Sequence, residues 1–209
     1  MGHPETDSDA ARLTDRLRAG DPAALDELFN RHRDRLRRMV DMRLDRRLQG
    51  RIDASDVIQE AHLEVAERLA DYLKDPKLPP FLWLRLVVGE RLAKLHRTHL
   101  GAQMRDAGRE VSLFREALPA ASSAALAAHL LGKHTSPTQA AVRAERLIRL
   151  QEAINALDPI DREILSLRHF EELSRAEAAQ ALGIEEAAAA KRYVRAMKRL
   201  KDLLGEDGD

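Results

Sequence analysis

Asp21-Pro22, Ser136-Pro137 and Asp158-Pro159 each set a helix-capping side chain directly before a proline. The capping oxygen satisfies a free amide of the first turn, and proline, which has no amide, suits the first helical position. Ser174-Arg-Ala-Glu177 adds a fourth start with the spacing of a capping box, and Asp53 with Asp56 is a looser version of it. Composition points the same way, since 33 Ala and 32 Leu stand against only 20 Val, Ile and Thr combined. Ala and Leu favour helix, and little β-branched material is left for strands. The expected fold is all-α, with helices near residues 9–19, 22–49, 54–73, 80–100, 137–157, 159–170, 174–182 and 185–204.

Between about Glu116 and Thr135 the sequence is rich in Ala and Ser, poor in charge, and punctuated by Pro119 and Gly132. It reads as a linker between two small helical domains, with Ala124 to Leu131 able to form a short helix. The chain has no Cys, which excludes disulfides, a thiolate nucleophile and iron–sulfur clusters. No leader is expected from the opening MGHPETDSDAAR, which has no basic stretch followed by an apolar one, and no membrane span is expected, because the most apolar window, Phe81 to Val88, is short and carries Arg85. A cytoplasmic location without membrane contact is expected.

The net charge is zero, with 35 basic and 35 acidic side chains, so any nucleic-acid role must rest on local clustering. Clustering is marked: residues 31–51 hold nine Arg against three Asp, residues 52–76 hold seven acids against Arg68 and Lys74, and residues 191–201 hold six cations and no acid.

Ser174 to Leu204 reads as a capped helix, a turn at Gly183 and a longer second helix, a helix-turn-helix pattern. On a helical wheel Ala190, Tyr193, Val194, Met197, Leu200 and Leu204 form the expected core face, opposite Lys191, Arg192, Arg195, Lys198 and Arg199. In such motifs the second helix enters the major groove and the basic arc binds phosphates. At its start, Glu185 and Glu186 can accept from cytosine amino groups or simply complement the helix dipole, and Ala187 to Ala190 offer only methyls to thymine.

Asp53, Asp56, Glu60, Glu64 and Glu67 recur at helical spacing opposite Val57, Ile58, Ala61, Val65 and Leu69. This acidic stripe suits a basic protein partner; a magnesium-binding phosphohydrolase site would need a second acidic helix, which the sequence lacks. Trp83, spaced helically from Val87, reads as core, and His62 and His169, beside apolar stripes, read as satisfied structural histidines. His96 and His99 stand three apart without a third metal ligand nearby, and read as facing phosphate. No nucleophile triad and no glycine-rich phosphate loop is present, so neither enzymatic activity, nor a cofactor, nor a metal is expected.

From about Asp21 to Leu204 the chain resembles the extracytoplasmic-function (ECF) group of sigma-70-type RNA polymerase sigma factors. The resemblance lies in Asp53 to Leu69, in Phe81 to Arg97, and most closely in Leu157 to Ile184, where an L-P-x-x-x-R-E-like run precedes the helix-turn-helix. The segments Asp21 to Val40 and Asp53 to Glu60 look most like a subgroup expanded in planctomycetes. The resemblance implies an N-terminal tail with a first short helix (1–20), a region-2-like domain (21–113), a linker (114–136), a region-4-like helix-turn-helix domain (137–204) and an acidic tail (205–209). It implies core RNA polymerase, through its β′ clamp and β flap, and double-stranded and melted promoter DNA as partners, with an anti-sigma protein as a further one.

By position it places Asp53, Asp56, Gln59 and Glu60 on the polymerase, and Lys94, Arg97, His99 and Arg105 on the melted downstream (−10) element. Ser174, Arg175, Glu185, Glu186, Lys191, Arg192, Arg195 and Arg199 fall on the upstream (−35) element, and the Lys74-to-Pro80 loop where a flipped base is captured. Two positions depart from the family pattern: Glu90 replaces an Asn, and the second helix of the motif lacks the Ser-x-Gly-Thr-Val opening, with Glu185 as cap. Glu90 motivates an alternative reading, a sigma-like regulator that no longer melts promoters.

Overall fold

A computed structural model describes residues 7–100, 118–132 and 140–205. Nine helices occupy them: α1 (Asp7–Arg18), α2 (Pro22–Arg43), α3 (Ala54–Lys74), α4 (Pro80–Leu100), α5 (Ser123–Leu130), α6 (Ala140–Asn155), α7 (Pro159–His169), α8 (Arg175–Leu182) and α9 (Glu186–Gly205). Among the described residues the β-type pairing is a single isolated bridge, Gln49 to Ile52.

The caps read from sequence are formed where they fall on described residues. Asp21 and Asp158 accept from Ala23 and Ile160 amides, and full capping boxes open α3 at Asp53–Asp56 and α8 at Ser174–Glu177. The Ser136-Pro137 start lies outside the described residues. Helix α2 ends at Arg43, six residues short of the predicted end at Gln49. The Asp45 carboxylate takes the Arg47 amide at 2.8 Å and its guanidinium at 2.9 and 3.0 Å, a local turn that competes with helix continuation. The same bonds bring the Asp45 carboxyl down to about 2.

Helices α1 to α4 form an N-terminal bundle around Leu36, Met39, Val57, Leu84 and Leu92, each almost wholly buried. Trp83 lies in this core, stacked on Tyr72 with ring centroids 4.1 Å apart. The Tyr72 hydroxyl donates to the Leu78 carbonyl at 2.8 Å and so fastens the turn before α4; burial raises that hydroxyl to about 12. The same apolar cluster continues through Ile160, Ile164 and Leu167 of α7 and Ala178 to Leu182 around α8, so the helix-turn-helix packs directly on the N-terminal bundle.

A second core holds Leu150 and Ile154 of α6, Leu165 of α7, Ala196 and Leu200 of α9, and Met42 of α2. Leu126 and Ala127 of α5 are fully buried in it. The stretch read as linker therefore contributes core side chains, because the short helix that Ala124 to Leu131 could form finds a close apolar partner in α6. Leu118, just before it, packs over Gly89 of α4; a β-carbon on Gly89 would lie 2.3 Å from Leu118 Cδ2. Glycine is what permits this approach.

One buried and one half-buried histidine are expected to set an acid limit on the stability of this fold. His96 accepts the Asp45 amide through Nε2 at 3.3 Å, and His169 bonds the Tyr193 hydroxyl at 3.2 Å. Burial holds both imidazoles below their usual value; at His96 the Asp45 charge opposes this and Arg47 reinforces it, and at His169 Arg168 and His129 reinforce it. A lowered imidazole favours the neutral form in the native state, so stability is intact above about pH 6.5 and falls as pH drops below the unfolded value. His96→Gln keeps an acceptor for the Asp45 amide without a proton to bind. Its stability, followed by urea unfolding at pH 7.5 and 5.5, is expected to fall less on acidification than that of the wild type; an identical fall would remove His96 from the effect.

Candidate polymerase and nucleic-acid interfaces

Two surfaces gather the residues singled out in the sequence. The first is a cleft of about 870 Å³ between the 44–52 turn, α3 and the C-terminal half of α4. Asp56, Gln59 and Glu60 line one side, Lys94 and His99 the other, and Arg47, Arg51 and Arg91 add cations. Residues read as serving two different partners thus share one concavity. Arg97 is exposed outside this lining, and Arg105 lies outside the described residues.

Much of the acidic stripe is committed internally. Asp53 and Asp56 cap α3, while Glu60 and Glu64 pair with Arg91 of α4, Glu60 Oε2 accepting from Arg91 Nε at 2.8 Å and Glu64 Oε1 from Nη1 at 3.3 Å. Gln59 remains exposed on the rim. Glu90 forms an ion pair with Arg68 of α3, so its charge is compensated between the two helices. His96 is buried and His99 lines the cleft, so the pair does not converge on a common ion. Among the described residues no three metal-ligating side chains stand close enough to hold a metal ion. His62 pairs with Asp26 at 3.0 Å and meets Phe29 edge-on, a structural placement.

The second surface is α9 with the turn before it. Gly183 caps α8 in the left-handed region at φ 64, and the Ala189 amide bonds the Glu185 carbonyl at 2.9 Å, which makes Glu185 the first residue of the next helix's cap. Glu185 and Glu186 are exposed at that start, as are Ser174 and Arg175 at the start of α8.

The expected core face of α9 needs correction. Ala189, Ala196 and Leu200 are buried and Tyr193 is half-buried, whereas Val194 is 64%, Met197 39% and Leu204 42% exposed. Helices α6, α7 and α8 all pack against α9, where Ala189 and Ala196 are buried, and a wheel weighted by hydrophobicity favours the larger side chains over Ala. Ala189 is consequently withdrawn from any thymine contact.

The basic block divides in two. Lys191, Lys198, Arg199 and Lys201 are exposed. Arg192 and Arg195 instead converge on Asp161 of α7, Arg192 Nη1 donating to Oδ1 at 3.0 Å and Arg195 donating from Nε to Oδ2 at 3.0 Å and from Nη2 to Oδ1 at 2.9 Å. Burial pushes the Asp161 carboxyl up, but the bonds from Arg195 and Arg192 outweigh it and hold it below the usual range.

Residues 147–200, from the middle of α6 through most of α9, match the family described as Sigma-70, region 4. Over 191 residues the chain is 31% identical to the ECF RNA polymerase sigma factor SigD of Mycobacterium tuberculosis and of Mycobacterium bovis, covering 91% of this chain and 82% of the relative. This chain belongs to the ECF RNA polymerase sigma factors. It is a sigma factor directing transcription initiation, with RNA polymerase and DNA as its partners. Its all-helical architecture is shared with CnrH, solved in complex with the cytosolic domain of CnrY, at a TM-score of 0.54 and 23% identity over 96% of this chain and 99% of that one. No described helix of the sigma factor is long and apolar enough to cross a membrane.

The sequence reading missed a buried polar cluster among the described residues. Glu171, in the turn after α7, is completely buried between Arg43 of α2 and Arg85 of α4. Arg43 Nη2 meets Glu171 Oε1 at 2.9 Å and also bonds Glu163, while Arg43 Nη1 donates to Ser166 Oγ at 3.3 Å. Arg35 lies 3.6 Å over the Phe81 ring and donates to the Glu171 carbonyl at 3.1 Å. Arg38 donates to the Phe170 carbonyl at 2.8 Å and pairs with Glu172 at 2.9 Å. Glu172 holds a left-handed φ of 53 to close that turn. The signal was present as a basic run facing an acidic turn, but Glu171 lies 86 residues from Arg85 and 136 from Arg35 along the chain.

Proposed function

We propose that this sigma factor divides its work between the two surfaces: the α3 rim of the cleft docks on the polymerase clamp, and α4 meets the melted downstream element. The helix-turn-helix then seats on the upstream element in duplex form. The observation that carries this reading is the segregation of exposed cations on α9 beside a correctly capped helix-turn-helix, on a chain whose family works at promoters.

Asp53, Asp56, Gln59 and Glu60 are assigned to polymerase, with Gln59 and Glu60 as its exposed contacts and Asp53 and Asp56 shaping the start of α3. Lys94, Arg97, His99 and Arg105 are assigned to the melted strand. Ser174, Arg175, Glu185, Glu186, Lys191 and Arg199 are assigned to the upstream duplex, with Arg192 and Arg195 held beside it by Asp161. Domain limits near residues 113 and 137, a cytoplasmic site of action, contact with the β flap and the absence of enzymatic turnover belong to the same reading. The likeness to CnrH supports a protein partner that holds the free sigma factor, as the cytosolic domain of CnrY accompanies CnrH.

Run-off transcription with purified core polymerase from the source organism on a library of promoter fragments tests this assignment. Specific transcripts that depend on the protein are expected; co-elution with polymerase without transcripts would favour the regulator reading instead. Gln59→Ala with Glu60→Ala is expected to weaken polymerase binding about tenfold, the scale of one or two well-placed interface contacts, with the fold unchanged by circular dichroism. Wild-type affinity in that variant would move the docking site off α3.

A further inference from the structure

We propose that Asp161 is a positioning residue for DNA recognition, fixing Arg192 and Arg195 so that this pair grips the duplex at one register and does not search it as free cations. The inference rests on the reading of α9 as the DNA-facing helix.

Asp161 occupies the third position of α7. At the same position of their helices, Asp56 and Glu177 turn back to bond the amide of their own cap residue. Asp161 sends both carboxylate oxygens across to α9, where they accept three hydrogen bonds from two arginines. Its side chain is 4% exposed, against 32% for Arg192 and 60% for Arg195.

The bonding pattern on Arg195 is specific. Nε and Nη2 form the fork that matches a carboxylate, which leaves Nη1 and the outer edge of the guanidinium for an acceptor in solvent. The exposed neighbours of this edge on α9 are Lys191, Val194, Lys198 and Arg199. A guanidinium fixed at its inner edge meets one phosphate in one geometry, and one carboxylate between two guanidinium groups halves their summed charge. Fixed direction favours the correct register, and reduced charge weakens binding to arbitrary duplex, whose affinity comes almost wholly from phosphate neutralisation.

The test compares the full chain with Asp161→Asn and with Arg195→Lys on two probes: a random-sequence duplex, and the duplex recovered from a random library by selection on the wild type. Asp161→Asn releases the two arginines. Its affinity for random duplex is expected to rise, its dependence of log K on log salt to steepen by about one unit, and its preference for the selected duplex to fall about tenfold. Arg195→Lys keeps the charge but loses the fork; its preference is expected to fall with the salt slope unchanged. A purely structural Asp161 would lower the melting temperature of Asp161→Asn without steepening the slope, and that result overturns the proposal. Unchanged slope and unchanged preference in both variants overturn it as well, while the DNA-binding reading stands. A wild type that binds neither duplex overturns both.

Discussion

Glu171→Gln is expected to cost about 3–5 kcal/mol of unfolding free energy, the loss that follows when one partner of a buried ion pair is removed. Its carboxylate is inaccessible to water, and so is the Arg43 side chain; Arg85 is only 6% exposed. With Glu163, the cluster holds two cations and two anions, which compensate each other where solvent cannot. Glutamine keeps the shape but leaves one buried positive charge unmatched. Urea unfolding at pH 7 measures the loss, and Glu172→Gln, one residue on and exposed, serves as control with a change of at most about 1 kcal/mol. A Glu171→Gln loss no larger than the control's would show that water reaches the cluster. Acid acts on the same group. Burial pushes the Glu171 carboxyl up, but Arg85 and then Arg43 hold it below its usual value. A lowered carboxylate stabilises the native state above its unfolded value and ceases to do so as pH falls through the folded one. The acid limb of the stability profile is therefore expected to be shallower in Glu171→Gln.

How far the sequence disclosed this arrangement depends on the range of the interaction concerned. Helix starts are local: Asp21, Asp53, Asp158 and Ser174 each cap with groups two or three residues away, and each was legible. The helix-turn-helix was legible for the same reason, from one box, one glycine and one basic block. The end of α2 was not, because a single Asp45 side chain redirects the backbone where the Arg- and Leu-rich periodicity would have continued. The inward face of α9 was misjudged because Ala189 and Ala196 are buried for their smallness, which a hydrophobicity scale does not reward. The arginine-rich stretch of α2 was legible as charge but not as function. Its partners Glu163, Glu171 and Glu177 lie 120 to 142 residues along the chain, and only the packing of α7 and α8 on α2 and α4 brings them together.

That division of the arginines decides how the DNA surface should be tested. Arg192 and Arg195 are the obvious pair to remove, but Arg192→Ala with Arg195→Ala would leave the Asp161 carboxylate buried without a partner, so weaker binding would be confounded with weaker folding. Lys191, Lys198 and Arg199 carry no such burden, being exposed on the same helix. Replacing all three by alanine is expected to leave the melting temperature within a few degrees of the wild type, since alanine is the best helix former and only solvent-facing side chains change. Binding is another matter. Removing one cation from a phosphate reduces the slope of log K against log salt by about 0.9. If all three side chains touch phosphate, the slope falls by about 2.7, and affinity for promoter duplex at low salt falls by about two to three orders of magnitude. Fluorescence anisotropy across a salt series separates this from a change in base recognition, because weaker phosphate binding affects selected and random duplexes alike. A slope unchanged in the triple variant would place the DNA on another face of the molecule, and the exposed Val194 and Met197 would then mark α9 as a protein-binding helix.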